Sequence, residues 1–322
     1  MVANDRAATL AAQQATPSPD ELARRVEQLK RERGAVVLAH YYTPAQTQAL
    51  ADYVGDSFYL ARLAKTLECE TIVLCGVSFM GESVKLLNPG RRVLMPAPEA
   101  DCPMAHMVEK AEVDRIRATY DDVAVVAYVN TTAEVKTWAD VCVTSSNALK
   151  VVRELPQRNI FFIPDANLGS FIARQVPEKN VILNMGCCPI HDVISLDEVR
   201  DLKAAHPAAE VLAHPECRPD VLAEADYIGS TKEIINRVAA SDGSEFIVLT
   251  VAGVAAEIER LTPGQNKRVY FPATTPICPN MAKVKPERLL ACLEDLSGEV
   301  ALPECPEAAG APLERMLELA AR

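Results

Sequence analysis

Short apolar, β-branched runs recur along the chain at strand length. "AVVLAH" (35–40), "VAVVAY" (123–128) and "AEVLAH" (209–214) are the first of each set. Shorter runs follow at "YVG", "VCVT" and "YIG", then "TIVLCG", "NIFFIPD" and "FIVLTV", then "RVLMPA", "NVILNMG" and "RVYFPAT". Between them, "FYLARLAKTL", "SNALKVVREL" and "KEIINRVAA" carry apolar residues at helical spacing. Near-continuous apolar strands alternating with helices predict parallel sheets covered on both faces. Further helices are predicted near 20–33, 286–296 and 311–321.

The pattern is a threefold repeat. "LAHYYTPAQTQALADYVGDS" (38–57), "VAYVNTTAEVKTWADVCVTS" (126–145) and "LAHPECRPDVLAEADYIGST" (212–231) align without gaps, 88 and 86 residues apart. In each, an Ala precedes His40, Tyr128 or His214; an Ala-Asp pair follows at 51, 139 or 225; a hydroxyl stands at Ser57, Ser145 or Thr231. These hydroxyls open the next predicted helices, where such residues serve as caps. The expected fold class is α/β, with three homologous αβα sandwich domains on short parallel sheets. The expected boundaries are a flexible tail at 1–19, domain 1 at 20–105 completed by C-terminal helices in 284–322, domain 2 at 106–191 and domain 3 at 192–283.

Composition narrows the function. The net charge of −11, with no Lys/Arg block, argues against a general binder of nucleic acid or anionic membrane. No run of 18 uncharged apolar residues appears, so no membrane span is expected. The first twenty residues lack an apolar block of signal-peptide length. Ten cysteines without an export signal imply reduced thiols and a cytoplasmic location. Cys75, Cys142 and Cys292 read as small buried hydrophobes, and Cys69 and Cys305 as incidental.

Three cysteines keep the register of the repeat. A Cys-Pro follows the last strand of each copy, at Cys102, Cys188 and Cys278, at intervals of 86 and 90 residues. Equivalent loops at the carboxyl ends of strands can converge if the copies pack around a pseudo-threefold axis, and that edge is where open α/β sheets bind ligands. Three thiolates leave one position of a four-coordinate site open. Zinc with Cys₃ and water, or a [4Fe–4S] cluster with one free iron site, both satisfy that count. Helix N-termini at Ser57, Ser145 and Ser230/Thr231 favour an anion. His40, Tyr42, Tyr128, Asn130, His214 and Glu216 end or follow the first strand of their copies, and supply groups that dehydration and enolisation need.

These motifs, with "GVSFMGESVKLLNP", "FIPDANLGSF", "AHPEC" and "CPNM", together resemble the quinolinate synthase family from about residue 20 to 300. The resemblance implies three α/β domains about a pseudo-threefold axis. It implies condensation of iminoaspartate with dihydroxyacetone phosphate to quinolinate, with loss of phosphate and two waters, in NAD biosynthesis. It places a [4Fe–4S] cluster, acting as a Lewis acid, on Cys102, Cys188 and Cys278. Substrate contacts fall on His40, Ser57, Asn130, Ser145, His214, Ser230 and Thr231, and catalytic roles on Tyr42, Tyr128 and Glu216. Among these, Glu216 matches a general base and Tyr42 a proton relay. An L-aspartate oxidase is the implied source of the labile imine. Two departures stand out: Val251 where the family commonly has Glu, and Met281 and Val284 where some members have further cysteines. Another cluster-dependent hydro-lyase and an iron–sulfur or zinc sensor are the competing classes; a sensor calls for a basic or partner-binding element, and none is evident in this acidic chain.

Overall fold

The computed structural model describes residues 18–274 and 276–321; residues 1–17 of the expected tail lie outside them. Twelve strands form three four-stranded sheets. The first holds β1 (Ala35–His40), β2 (Tyr53–Gly55), β3 (Thr71–Cys75) and β4 (Arg92–Leu94). The second holds β5 (Val123–Tyr128), β6 (Val141–Val143), β7 (Asn159–Ile163) and β8 (Asn180–Leu183). The third holds β9 (Glu210–Ala213), β10 (Tyr227–Ile228), β11 (Glu245–Leu249) and β12 (Arg268–Tyr270). Every pairing is parallel, and the orders are β2-β1-β3-β4, β6-β5-β7-β8 and β10-β9-β11-β12. Register repeats too: Ala35 faces Thr71 as Val123 faces Asn159. The central strands are buried on both faces, which is why they read as unbroken apolar runs.

The repeated Ala-Asp pair has a structural use. Asp52, Asp140 and Asp226 each accept a hydrogen bond from the backbone N–H of Val37, Val125 and Val211, at 2.7, 2.7 and 2.8 Å. Each therefore ties the start of the second strand to the middle of the first. Asp226→Ala leaves the buried Val211 N–H without its side-chain acceptor. The expected loss is about 1–3 kcal/mol, read from urea denaturation midpoints.

This strand order creates a site. The chain leaves the first strand of each sheet toward one edge and returns on the other side of it. The carboxyl ends of β1 and β3, and of their counterparts, therefore diverge and open a crevice.

Two sequence expectations change. The helix caps are Asp56, which accepts from the Tyr59 N–H, and Ser230, which accepts from the Glu233 N–H; Asn147 stands at the N-cap of Ala148–Glu154. Ser57, Ser145 and Thr231 are thus not the caps. The side-chain cap bonds at Ser57 and Thr231 fall to the residue one step earlier, and Ser145 precedes the first residue of its helix, Ala148, by three. The last helix runs Pro306–Ala321, not from 311. Pro306 suits a helix start, where no N–H is needed, and the later Gly310 and Pro312 obscured the first turn.

The helix Pro286–Asp295 packs on the helix Pro19–Glu32, whereas Pro306–Ala321 lies across β6 and the helices Ser78–Leu87 and Ala148–Glu154, bridging the first two copies. One apolar core runs through the first two copies and these helices; the third sheet carries its own cluster on each face. Among the described residues, no helix is long and apolar enough to cross a membrane.

Candidate functional site

The loops that end these strands surround one cavity of about 140 Å³, to which all three copies contribute. The register positions meet there. His40, Tyr128 and His214 line it, with Tyr42, Asn130 and Glu216 two residues further on. So do Ser57, Ser145 and Thr231, and the thiol-bearing residues Cys102, Cys188 and Cys278. Ser230 does not join them: its hydroxyl caps the helix Thr231–Ala240, and the residue lines an adjoining groove with Ser146 and Lys150. Val251 is buried in the cavity wall, so that side is apolar.

Two backbone turns fix two imidazoles. The Tyr42 N–H donates to His40 Nδ1 at 3.1 Å, and the Glu216 N–H donates to His214 Nδ1 at 3.3 Å. Accepting at Nδ1 leaves the proton of a neutral ring on Nε2. Burial pulls His40 down to about 4, against the opposing field of Glu216. Burial likewise pulls His214 down to about 3. Both are therefore neutral at pH 7. Their folded values lie below the ordinary 6.5, so the stability tied to the neutral rings is present above about pH 6.5. It is lost as pH falls, through about 4 for His40 and about 3 for His214. Denaturation midpoints measured across pH 3–7 should fall in that window, and those of a His40→Gln variant should fall less.

A hydrogen-bonded chain crosses the cavity wall. The Tyr42 hydroxyl lies 2.7 Å from Thr231 Oγ1 and 2.8 Å from Thr250 Oγ1. Thr250 Oγ1 is 2.9 Å from His191 Nε2, and His191 Nδ1 is 2.7 Å from Glu216 Oε2. The rings of His191 and His214 stack at 4.7 Å. Sequence reasoning missed His191 and Thr250. Their register partners are Ala105 and Met281, and Gly76 and Pro164, so a search for threefold polar positions passes over both. One signal was available: His191 stands three residues after Cys188, on the single turn Pro189–Asp192 that Cys188 precedes.

Burial alone would raise the Glu216 carboxyl, but the fields of His191 and His214 and the hydrogen bond to His191 outweigh it and bring it down to about 2. Burial, and then the Glu216 charge, push Asp165 well above the carboxylate range. The same two causes push the Tyr42 and Tyr128 phenols well above 10, which keeps both as proton donors. Among the described residues, buried Glu216 Oε1 has no hydrogen-bond partner of standard geometry, although the Tyr128 phenol faces the same carboxylate. A buried carboxylate oxygen left open in an otherwise satisfied network marks a place for a proton donor or a cation.

The thiols are equally primed. Burial pushes Cys102 up to about 12, Cys188 well above its ordinary range, and Cys278 upward. Each would become a thiolate only against a bound cation. Carboxylates hold two of the cysteine backbones: Cys102 N–H donates to Asp101 at 2.8 Å and Cys188 N–H to Asp165 at 3.1 Å. The ligand atoms of Cys188, His191 and Glu216 all lie within 4.8 Å of one another, a group that could hold a metal ion.

Gly253 of the third copy packs against the backbone of Tyr41 and Tyr42. A Cβ there would stand 2.7 Å from the Tyr41 carbonyl oxygen and 3.0 Å from Tyr42 Cα, both backbone atoms that cannot yield alone. Gly253→Ala should displace Tyr42 and lower turnover about tenfold or more, measured as kcat at unchanged metal content.

The family described as Quinolinate synthetase A protein matches residues 24–318. A quinolinate synthase of Fusobacterium nucleatum is 49% identical over 297 residues, covering 92% of this chain and 98% of that one. One of Aquifex aeolicus is 42% identical over 305 residues, covering 93% and 94%. Quinolinate synthase 2 of Methanosarcina acetivorans is 41% identical over 299 residues, covering 92% and 96%. The match spans nearly the whole chain and every loop around the cavity, and the chain belongs to the quinolinate synthetase A family of enzymes.

Proposed function

We propose that this chain forms quinolinate for NAD biosynthesis, condensing iminoaspartate with dihydroxyacetone phosphate and releasing phosphate and two waters. The observation that carries the reading is the meeting of three register-related cysteines with Tyr42, Asn130 and Glu216 in one cavity of a chain of this family. Cys102, Cys188 and Cys278 would hold a [4Fe–4S] cluster. The soft donor set, its half-buried thiols and the open Glu216 oxygen suit a cationic group. Bound there, the cluster supplies a Lewis acid through the iron that no cysteine occupies.

The chain's own groups account for binding and proton movement. Ser57, Ser145 and Thr231, free of capping duty, offer hydroxyls to phosphate and carboxylates. Ser57 and Thr231 also begin ten-residue helices whose first N–H groups favour anions. Neutral His40 and His214 donate from Nε2 without bringing positive charge. Asn130 orients an intermediate by hydrogen bonding. The Tyr42 hydroxyl, too weak an acid to ionise at pH 7, passes protons through Thr250 to His191. Glu216 accepts a substrate proton at the oxygen that lacks a partner, and its other oxygen holds His191 in place. Tyr128, whose phenol faces the Glu216 carboxylate, is a further proton donor. All ten cysteines are unpaired, which supports a reducing, cytoplasmic setting. An L-aspartate-oxidising enzyme would supply the imine.

Mass spectrometry of the products formed anaerobically from iminoaspartate and dihydroxyacetone phosphate tests the reading. Quinolinate at many turnovers per chain is expected. A dehydrated hydroxy acid formed in its place would assign the site to another hydro-lyase.

A further inference from the structure

Tyr42, Asn130 and Glu216 occupy one register position, and the loops that carry them are held in a way the repeat makes visible. Gln48, Lys136 and Leu222 share a second position, and Phe79, Asn167 and Gly253 a third. In the first copy, buried Gln48 Nε2 lies 2.9 Å from the carbonyl oxygen of Tyr41 and 2.8 Å from that of Thr43, the residues flanking Tyr42. In the second copy, Lys136 Nζ reaches the carbonyl oxygens of Val129, at 3.1 Å, and Thr131, the residues flanking Asn130. A different residue type thus makes the same two bonds at the same place.

Each brace also meets the next copy, in cyclic order. Gln48 Nε2 is 3.1 Å from the Gly253 carbonyl oxygen, so the third copy closes on the first. Lys136 Nζ lies 5.8 Å from the Phe79 ring centroid, so the first closes on the second. In the third copy the brace position is Leu222, which cannot donate. There Asn167 of the second copy donates directly to the Glu216 carbonyl oxygen at 3.1 Å, anchored on its other side by Asp192 at 2.9 Å. The contacts run third to first, first to second and second to third, through the one register position shared by Gly253, Phe79 and Asn167.

Lys136 is the telling member. It is fully buried, and among the described residues its Nζ makes no ion pair within 4.0 Å, the Glu82 carboxylate acting on it only from farther away. A buried ammonium without a directly paired carboxylate is unfavourable, and Leu222 shows that an apolar side chain fits this position in the same fold. Stability alone gives no reason for a lysine there. Fixing the peptide groups on either side of Asn130 does.

We propose that Gln48, Lys136 and Asn167 are positioning residues, a cyclic set of clamps that sets Tyr42, Asn130 and Glu216 in the cavity through the neighbouring copy. Their consequence for catalysis rests on the quinolinate reading; their hold on the loops does not. The test uses the metal-loaded chain as Lys136→Met and Lys136→Gln, with melting temperature, kcat, KM and amide hydrogen exchange over residues 128–132 measured for each. Lys136→Met should keep its melting temperature within a few degrees, speed exchange at 129–132, and lower kcat/KM about tenfold to a hundredfold, mostly through KM. Lys136→Gln, which restores the bonding seen at Gln48, should recover kcat/KM to within about threefold of the parent chain. A Lys136→Met chain with unchanged exchange and kcat/KM overturns the proposal. So does a loss of activity only in step with lost melting temperature, with KM unchanged and no rescue by Gln. If the parent chain makes no quinolinate, the functional reading falls. The exchange rates at 129–132 then decide the clamp alone, and unchanged rates would refute it.

Discussion

Cys188→Ala is expected to abolish both the visible absorption of the anaerobically loaded chain and its quinolinate production, while Cys187→Ala retains both. The two thiols are adjacent, yet their surroundings differ. Cys188 lines the cavity, its backbone N–H is held by Asp165, and its sulfur lies 3.2 Å from His191 Nδ1. It alone keeps the Cys-Pro register with Cys102 and Cys278. Cys187 is not among the residues that line the cavity, and its thiol is raised by burial and by the charges of Asp192 and Asp165. Losing a Lewis acid forfeits several kcal/mol of transition-state stabilisation, so Cys188→Ala should lower kcat by at least about a thousandfold. A chain that loses its colour through Cys187→Ala and keeps it through Cys188→Ala would reverse the assignment of ligands.

Glu216→Gln should be the second most damaging change, lowering kcat by about a hundredfold to ten-thousandfold, the usual contribution of a positioned acid or base. The substitution preserves shape and removes charge. It takes away the oxygen that has no partner and the carboxylate that sets His191, at 2.7 Å, so the Tyr42–Thr250–His191 relay loses its terminus. Quinolinate affinity, measured separately by product inhibition, should change much less than kcat. Near-parental turnover in the Gln variant would remove Glu216 from proton transfer and leave His191 as the acid–base group.

Much of the fold could be read from pattern because the sheets are parallel and buried on both faces. All twelve apolar runs became strands, and the three sheets share one strand order. Helix ends were harder to read. Asp56 and Ser230 cap where Ser57 and Thr231 were expected, because any of these side chains suits an N-terminus and only backbone geometry chooses between neighbours. Pro312 and Gly310 concealed the start of the last helix, which runs from Pro306. Around the cavity, repeated positions were visible because register singled them out. His191, Thr250 and Asp165 were not, since each occurs in one copy only; His191 and Thr250 gain their roles from contacts between copies, and Asp165 from its bond to Cys188 in its own. The clamps were hidden for a related reason. Gln48, Lys136 and Leu222 share no side-chain chemistry, and only their common carbonyl targets reveal the first two as one device.

Metal analysis of the anaerobically purified chain bears on the central claim most directly. The account predicts about four irons and four sulfides per chain, lost together when any one of Cys102, Cys188 or Cys278 is replaced by alanine. One zinc per chain in place of iron, with quinolinate still produced, would contradict it.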